Sequence, residues 1–146
     1  HSRACMEAPE IIVTDEADDE SVQIIGNGLN HFNDQHVGYR DRQPLAVLAR
    51  DPQSGDVVGG ASGRTSLGLL FLDLFHLPKT LRGMGIGTEV LRRFEEEGRR
   101  RGCRSAVVYT ISFQAPWFYE RNGWVRFGEV PCDPPGTSRI FLSKAL

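Results

Sequence analysis

Residues 80–90 read "TLRGMGIGTEV", with glycine at positions 83, 85 and 87 and a helical pattern immediately after them. Glycine is a weak helix former, so its repeated use beside a helix start needs a physical reason. The first turn of a helix presents unpaired backbone N–H groups and a partial positive charge. Removing side chains lets an anion come close to those groups, and strand–turn–helix is a context in which phosphates are held this way. The stretch therefore reads as a phosphate or diphosphate cradle. Spacing disfavours the two most familiar versions. A nucleoside-triphosphate loop requires Lys–Ser/Thr after its last glycine, whereas Gly87 is followed by Thr88–Glu89. A dinucleotide fingerprint requires G-x-G-x-x-G, whereas the spacing here is G-x-G-x-G. A turn whose glycines only permit positive φ would also account for the glycines taken alone.

Downstream, Ile86, Val90, Leu91 and Phe94 share one helical face, Arg92, Arg93 and Glu95–Glu97 point elsewhere, and Gly102 is a helix stop. The charge-dense "RRFEEEGRRRGCR" reads as a solvated helix face with local ion pairs. "SAVVYTI" (105–111) has the continuous apolar character of a central strand. "APWFYERNGW" (115–124) predicts a short helix closed by Asn122–Gly123, with Trp117 and Trp124 in the core. "VRFGEV" (125–130) and "RIFLSKAL" (139–146) are strands joined by the Pro-rich "PCDPPGTS".

Upstream, "LGLLFLDLFHL" (67–77) is a buried strand or two merged pieces, and "PLAVLARD" and "DVVGGASGRT" form a hairpin across "PQSG". "EIIVTD" (10–15) predicts a short first strand. Val22, Ile25, Leu29 and Phe32 then predict a helix that Gly26 and Gly28 weaken or split. Together these elements give a mixed α/β sheet in a single domain, 6–146, with residues 1–5 before Met6 reading as an appended remnant outside the fold.

The chain has 146 residues, with 17 Lys and Arg against 19 Asp and Glu. That near-neutral balance argues against nucleic acid as a partner, because phosphate neutralisation needs a basic excess. No apolar run reaches membrane-spanning length, since Asp73 and His76 interrupt the longest hydrophobic stretch, and nothing reads as a secretory signal. Cys5, Cys103 and Cys132 are odd in number and lack metal-ligand spacing, which predicts reduced thiols in a cytoplasmic protein and no bound metal.

"RGMGIG" resembles the R-x-x-G-x-G/A motif of the GNAT acetyltransferase superfamily, with Arg82, Gly85 and Gly87 on the fixed positions. "SFQAPWFYERNGW" (112–124) resembles the second signature of that superfamily, N-x-x-A-x-x-x-Y-x-x-x-G-F/W. Ala115, Tyr119, Gly123 and Trp124 match, and Ser112 stands where the family usually has Asn. The resemblance covers about residues 45 to 146 well and the N-terminal part in outline. It implies a mixed, mostly antiparallel twisted sheet with a splayed parallel strand pair and helices on both faces.

It also implies an acetyl-CoA-dependent N-acetyltransferase in which an amine of a small molecule attacks the thioester directly. Acetyl-CoA would enter as co-substrate, its diphosphate on the amides of Arg82, Gly83, Met84, Gly85, Ile86, Gly87 and Thr88. Its pantetheine arm would run along Phe75 and Leu77, with Ser112 or Gln114 as further contacts. The Leu77 N–H would face the thioester carbonyl. Tyr119 matches the family's general acid, and a phenol keeps its proton at neutral pH. A core aromatic is the plainer reading of Tyr119 from composition.

Asp73, a carboxylate inside an apolar strand, and His76 are candidate bases; a partner for Asp73 such as an arginine is the plainer alternative. The two differ in strand parity, so both face one site only if a bulge intervenes, as the family implies. His31, His36 and Tyr39 would wall the acceptor pocket. A homodimer is within family habit. Alternatives are a non-catalytic acyl-CoA-binding module, and acetylation of a protein or peptide amine.

Overall fold

The computed structural model describes residues 7–146, so the remnant expected at 1–5, Cys5 included, lies outside the described residues. Two compact units divide the chain after Arg40. In the first, residues 7–18 form no regular structure, and the strand expected at 10–15 is absent. A strand exists only through the partner that completes its ladder, and Ile11–Val13 pair with none. Helix α1 (Asp19–Val37) follows. Asp18 caps it by accepting the Ser21 N–H at 2.7 Å, Asp19 and Glu20 favour its positive end, and Gly38 closes it at φ 83°. The helix runs unbroken through Gly26 and Gly28. The two glycines cost about 2 kcal/mol together, and the caps and first-turn acids contribute a similar amount.

The second unit, Asp41–Leu146, contains β1 (Gln43–Arg50), β2 (Val57–Ser66), β3 (Leu69–His76), α2 (Ile86–Arg100), β4 (Ser105–Ile111), α3 (Pro116–Arg121), β5 (Val125–Cys132) and β6 (Thr137–Ala145). These strands make one mixed sheet in the order β1-β2-β3-β4-β6-β5, antiparallel except for β3–β4. Residues 67–77, read as one strand or two pieces, give the single strand β3. Leu70, Leu72, Ala106, Val108, Ile140 and Leu142 bury one sheet face against Val90, Leu91 and Phe94 of α2. Alternation along β4 and β6 puts Tyr109, Ile111, Arg139 and Phe141 on the opposite face.

Two irregularities of register open this sheet. Ser62 pairs with Leu74 but Gly63 pairs with Leu72, so Asp73 is the extra residue of a bulge. Before it Leu70 and Leu72 point inward; after it the phase flips, with Leu77 buried, Phe75 half-buried and His76 exposed. The parity conflict between Asp73 and His76 is resolved by this bulge. The parallel pairing of β3 with β4 also ends, at Leu72 opposite Val108, so the last residues of the two strands diverge into a V.

A buried charge ties the elements around the V together. Glu95, 3 % exposed on α2, accepts the Trp124 indole N–H at 3.1 Å and the Lys144 Nζ at 2.6 Å, and Lys144 also donates to the Asn122 carbonyl at 2.8 Å. Among the described residues no helix is long and apolar enough to cross a membrane.

Candidate active site

The chain after β3 passes through a short 3-10 turn, Lys79–Leu81, into the glycine loop. Arg82 N–H bonds back to Lys79 O, and the next backbone bond in line is Glu89 N–H to Gly85 O. The amides between them, from Gly83 to Thr88, make no backbone hydrogen bond. Gly83 and Gly85 sit at φ 82° and 76°, left-handed geometry that glycine adopts without strain, and Gly85 is the N-cap of α2. A Cβ added at either would meet nothing within 4 Å. Bare donors at a helix start, with open space before them, fit a diphosphate.

That loop borders a cleft of about 930 Å³ which continues into the V between β3 and β4. Arg82, Gly83, Gly85, Gly87, Thr88, Asp73, Phe75, His76, Leu77, Gln114 and Tyr119, all singled out from sequence, line it together. Met84 is 65 % exposed and the Ile86 side chain packs against the core, and neither residue lines the cleft. Arg82 reaches the Leu77 carbonyl at 3.5 Å, which ties the loop to the end of β3.

Tyr119 is 6 % exposed, on the short helix α3, ringed by Phe75, Phe118 and Trp124 at 6.2, 5.3 and 5.8 Å between centroids. Among the described residues no group bonds its hydroxyl and no sealed polar atom lacks a partner, so the oxygen is not sealed, and Tyr119 lines the cleft. Burial pushes the phenol up to about 12, because the apolar ring of neighbours disfavours the phenolate. The hydroxyl therefore stays protonated at neutral pH.

Asp73 stands at the bulge with both carboxylate oxygens 2.9 Å from Arg64 Nη1, and Arg64 also lies over the Phe71 ring at 4.1 Å. His76, at the end of β3, faces the cleft. The Ser112 hydroxyl accepts the Ser138 N–H at 3.1 Å, so it is engaged by β6 rather than presented to the cleft. Gln114 lines the cleft, and its side-chain carbonyl accepts the Ile111 N–H at 3.0 Å and the Thr110 hydroxyl at 3.3 Å. His31 and His36 lie on α1 and Tyr39 just beyond it, all in the first unit. Among the described residues no cluster of His, Cys, Asp and Glu is arranged to hold a metal ion.

The family model of the acetyltransferase (GNAT) family matches residues 10–124. The chain belongs to this family. It is similar to Acetyltransferase Atu2258 of Agrobacterium fabrum, 33 % identical over 133 residues, covering 91 % of this chain and 96 % of that one. It is also similar to blasticidin-S acetyltransferase of Streptomyces morookaense, 34 % identical over 109 residues, covering 73 % and 80 %. A crystal structure assigned as an acetyltransferase from Agrobacterium tumefaciens superposes with a TM-score of 0.86 at 32 % identity, over 94 % of this chain and all of that one. The chain is thus an acetyltransferase of the GNAT type, and the splayed strand pair and the mixed sheet are those its motifs implied.

Several residues of the GNAT cleft escaped the sequence reading. Trp117, expected in the core, is 56 % exposed and lines the cleft with Arg121 stacked on it at 4.9 Å. The turn of α3 that buries Pro116 and Tyr119 carries Trp117 outward. Trp124 is in the core as expected, 2 % exposed. Tyr109, Phe113 and Arg139 also line the cleft. In the charge-dense helix Arg92, Arg93, Arg99 and Arg100 are all paired with glutamates, the local ion pairs its sequence suggested.

Proposed function

We propose that the chain transfers an acetyl group from acetyl-CoA to a primary amine of a small molecule by direct attack. The observation that carries this reading is the run of amides from Gly83 to Thr88 without backbone partners, of which Gly83, Gly85, Gly87 and Thr88 line the same cleft as the end of β3 and Tyr119. These amides, with Arg82, would hold the diphosphate, and the unpaired edge of β3 at Phe75 and Leu77 would receive the pantetheine arm like an added strand. When bound, acetyl-CoA supplies the activated acetyl group. The Leu77 N–H would stabilise the negative charge that develops on the acetyl oxygen.

Tyr119 would give its proton to the departing sulfur. A phenol near 12 faces a thiol whose ordinary value is about 8.5, which taken alone is an uphill transfer. The low-polarity surroundings that raise Tyr119 also raise the proton affinity of a sulfur leaving beside it, so the mismatch narrows once the cleft is filled. His76 would take the amine proton, because its ring is uncommitted whereas the Asp73 oxygens are held by Arg64. The small-molecule acceptor is supported by the blasticidin-S acetyltransferase relative, named for such a substrate. Cys103 and Cys132, both free thiols, suit the reducing cytoplasm.

A panel of amino acids, polyamines, aminoglycosides and peptides, assayed for CoA release, tests this reading. Turnover of a small amine supports it. A thermal shift with acetyl-CoA but no turnover would leave an acyl-CoA-binding module, and turnover of peptides alone would move the acceptor to protein amines. Acetyl-CoA at a hundredfold its dissociation constant should add about 2.7 kcal/mol of stability.

A further inference from the structure

The arginines of the sheet unit differ in their partners. Arg64 and the α2 arginines are each paired with Asp or Glu. The three that line the cleft, Arg82, Arg121 and Arg139, have no carboxylate partner in this unit. Two of them lie beside the proposed cofactor path: Arg82 in the glycine loop, and Arg121 on α3, stacked on Trp117.

Arg139 is placed differently. It sits on β6, one strand beyond the V, with the parity that points away from the core shared with α2. Its cross-strand neighbours are Ile111 on β4 and Val130 on β5, both apolar. Among the described residues its side chain donates one hydrogen bond, to Cys132 Sγ at 3.3 Å, a weak acceptor. A half-buried guanidinium set among apolar neighbours is costly unless an anion completes it. In the reading above, the cofactor phosphates would be held at the loop that begins α2. Tyr109 and Ile111, on the same face as Arg139, border the same cleft.

We propose that Arg139 binds a carboxylate of the acceptor, so that the preferred substrate is a small primary amine carrying a carboxylate. This rests on the acetyl-transfer reading above and names its substrate class. The planar fork of a guanidinium takes a carboxylate in two parallel bonds, which fixes the amine's distance and direction from the V. The transfer balances as for any amine. The N–C bond to the acetyl group forms and the C–S bond breaks, the amine nitrogen loses one proton, and the sulfur gains one.

The test uses matched pairs of α-amino acids and their carboxamides with wild type, Arg139→Gln and Arg139→Lys, each checked by its melting temperature. The expected result is a ten- to hundredfold higher kcat/KM for the acid over the amide in wild type, the size of losing a charge-assisted bond. That preference should collapse in Arg139→Gln and partly survive in Arg139→Lys, with the loss falling on KM. Calorimetry of the same acids with the CoA-bound protein gives a readout free of turnover. Arg139-dependent binding without CoA release would retain the subsite and reject the transferase reading. Equal use of acid and amide, a preference that persists in Arg139→Gln, or no Arg139-dependent binding of any acid overturns the proposal. Weakened CoA affinity in Arg139→Gln also overturns it, by assigning the guanidinium to a cofactor phosphate.

Discussion

Replacing Tyr119 with Phe removes one oxygen from a side chain that is 6 % exposed and leaves every ring contact in place. Because no protein group bonds the hydroxyl, the change costs no internal hydrogen bond, and stability at pH 7 should move by less than about 1 kcal/mol. The rate should fall by about 10²- to 10⁴-fold, the usual worth of a positioned general acid. That loss belongs to kcat, with the acetyl-CoA dissociation constant within about threefold of wild type, since the amide cradle is untouched.

The same substitution has a stability signature. The Tyr119 proton is bound more tightly in the folded chain, at about 12 against 10.0 for an exposed phenol. Its contribution is complete below pH 10 and is lost as pH climbs through 12, a total of about 3 kcal/mol. Denaturant melts between pH 9 and 12 should show this decline in wild type and a shallower one in Tyr119→Phe. Stopped-flow detection of free thiol supplies the rate. An unchanged kcat would remove Tyr119 from proton transfer, and a kcat loss matched by an equal loss of stability or of acetyl-CoA binding would make it a packing residue.

Gly85→Val forces a branched side chain into left-handed geometry at a cost of about 1–2 kcal/mol, and puts it in the open space before the amides. Calorimetry should show CoA affinity weakened at least a hundredfold in a chain that still melts cooperatively, and wild-type affinity would reject the cradle. His76→Gln should cut kcat/KM by about 10²- to 10⁴-fold while Asp73→Asn stays within about tenfold of wild type; the opposite pattern would transfer the base role to Asp73. Glu95→Ala strands a buried indole N–H and the Lys144 ammonium, so equilibrium unfolding should register a loss of about 3 kcal/mol or more. A loss below about 1 kcal/mol would show that this charge network contributes little.

The parts of the fold that sequence reading recovered are those whose pattern is local. "SAVVYTI" becomes β4 without a shifted boundary, and the face of Val90, Leu91 and Phe94 becomes the buried face of α2. Residues 10–15 have strand-like composition, but pairing is a property of two segments and no neighbour is supplied. Asp73 was visible as a carboxylate in an apolar strand. Its partner Arg64 reaches it only through β2–β3 pairing, and the bulge that brings His76 to its face is a matter of register.

Arg139 and Tyr109 were not legible as cleft residues. Which face of β4 and β6 meets the opening depends on where β3 and β4 stop pairing, and no local pattern encodes that point. Trp117 shows the limit of residue type as a guide, since an indole on a six-residue helix is buried or exposed by the turn on which it falls. The left-handed turns of the glycine loop were legible because glycine adopts positive φ without strain, and composition displays glycine directly.

The amide resonances of Gly83 to Thr88, followed by nitrogen–proton correlation spectra during a titration with CoA and then with dephosphorylated pantetheine, address the cradle most directly. Large downfield shifts of these amides with CoA, absent with pantetheine, are the predicted result. CoA binding that leaves them unmoved would contradict the assignment of the loop to the diphosphate.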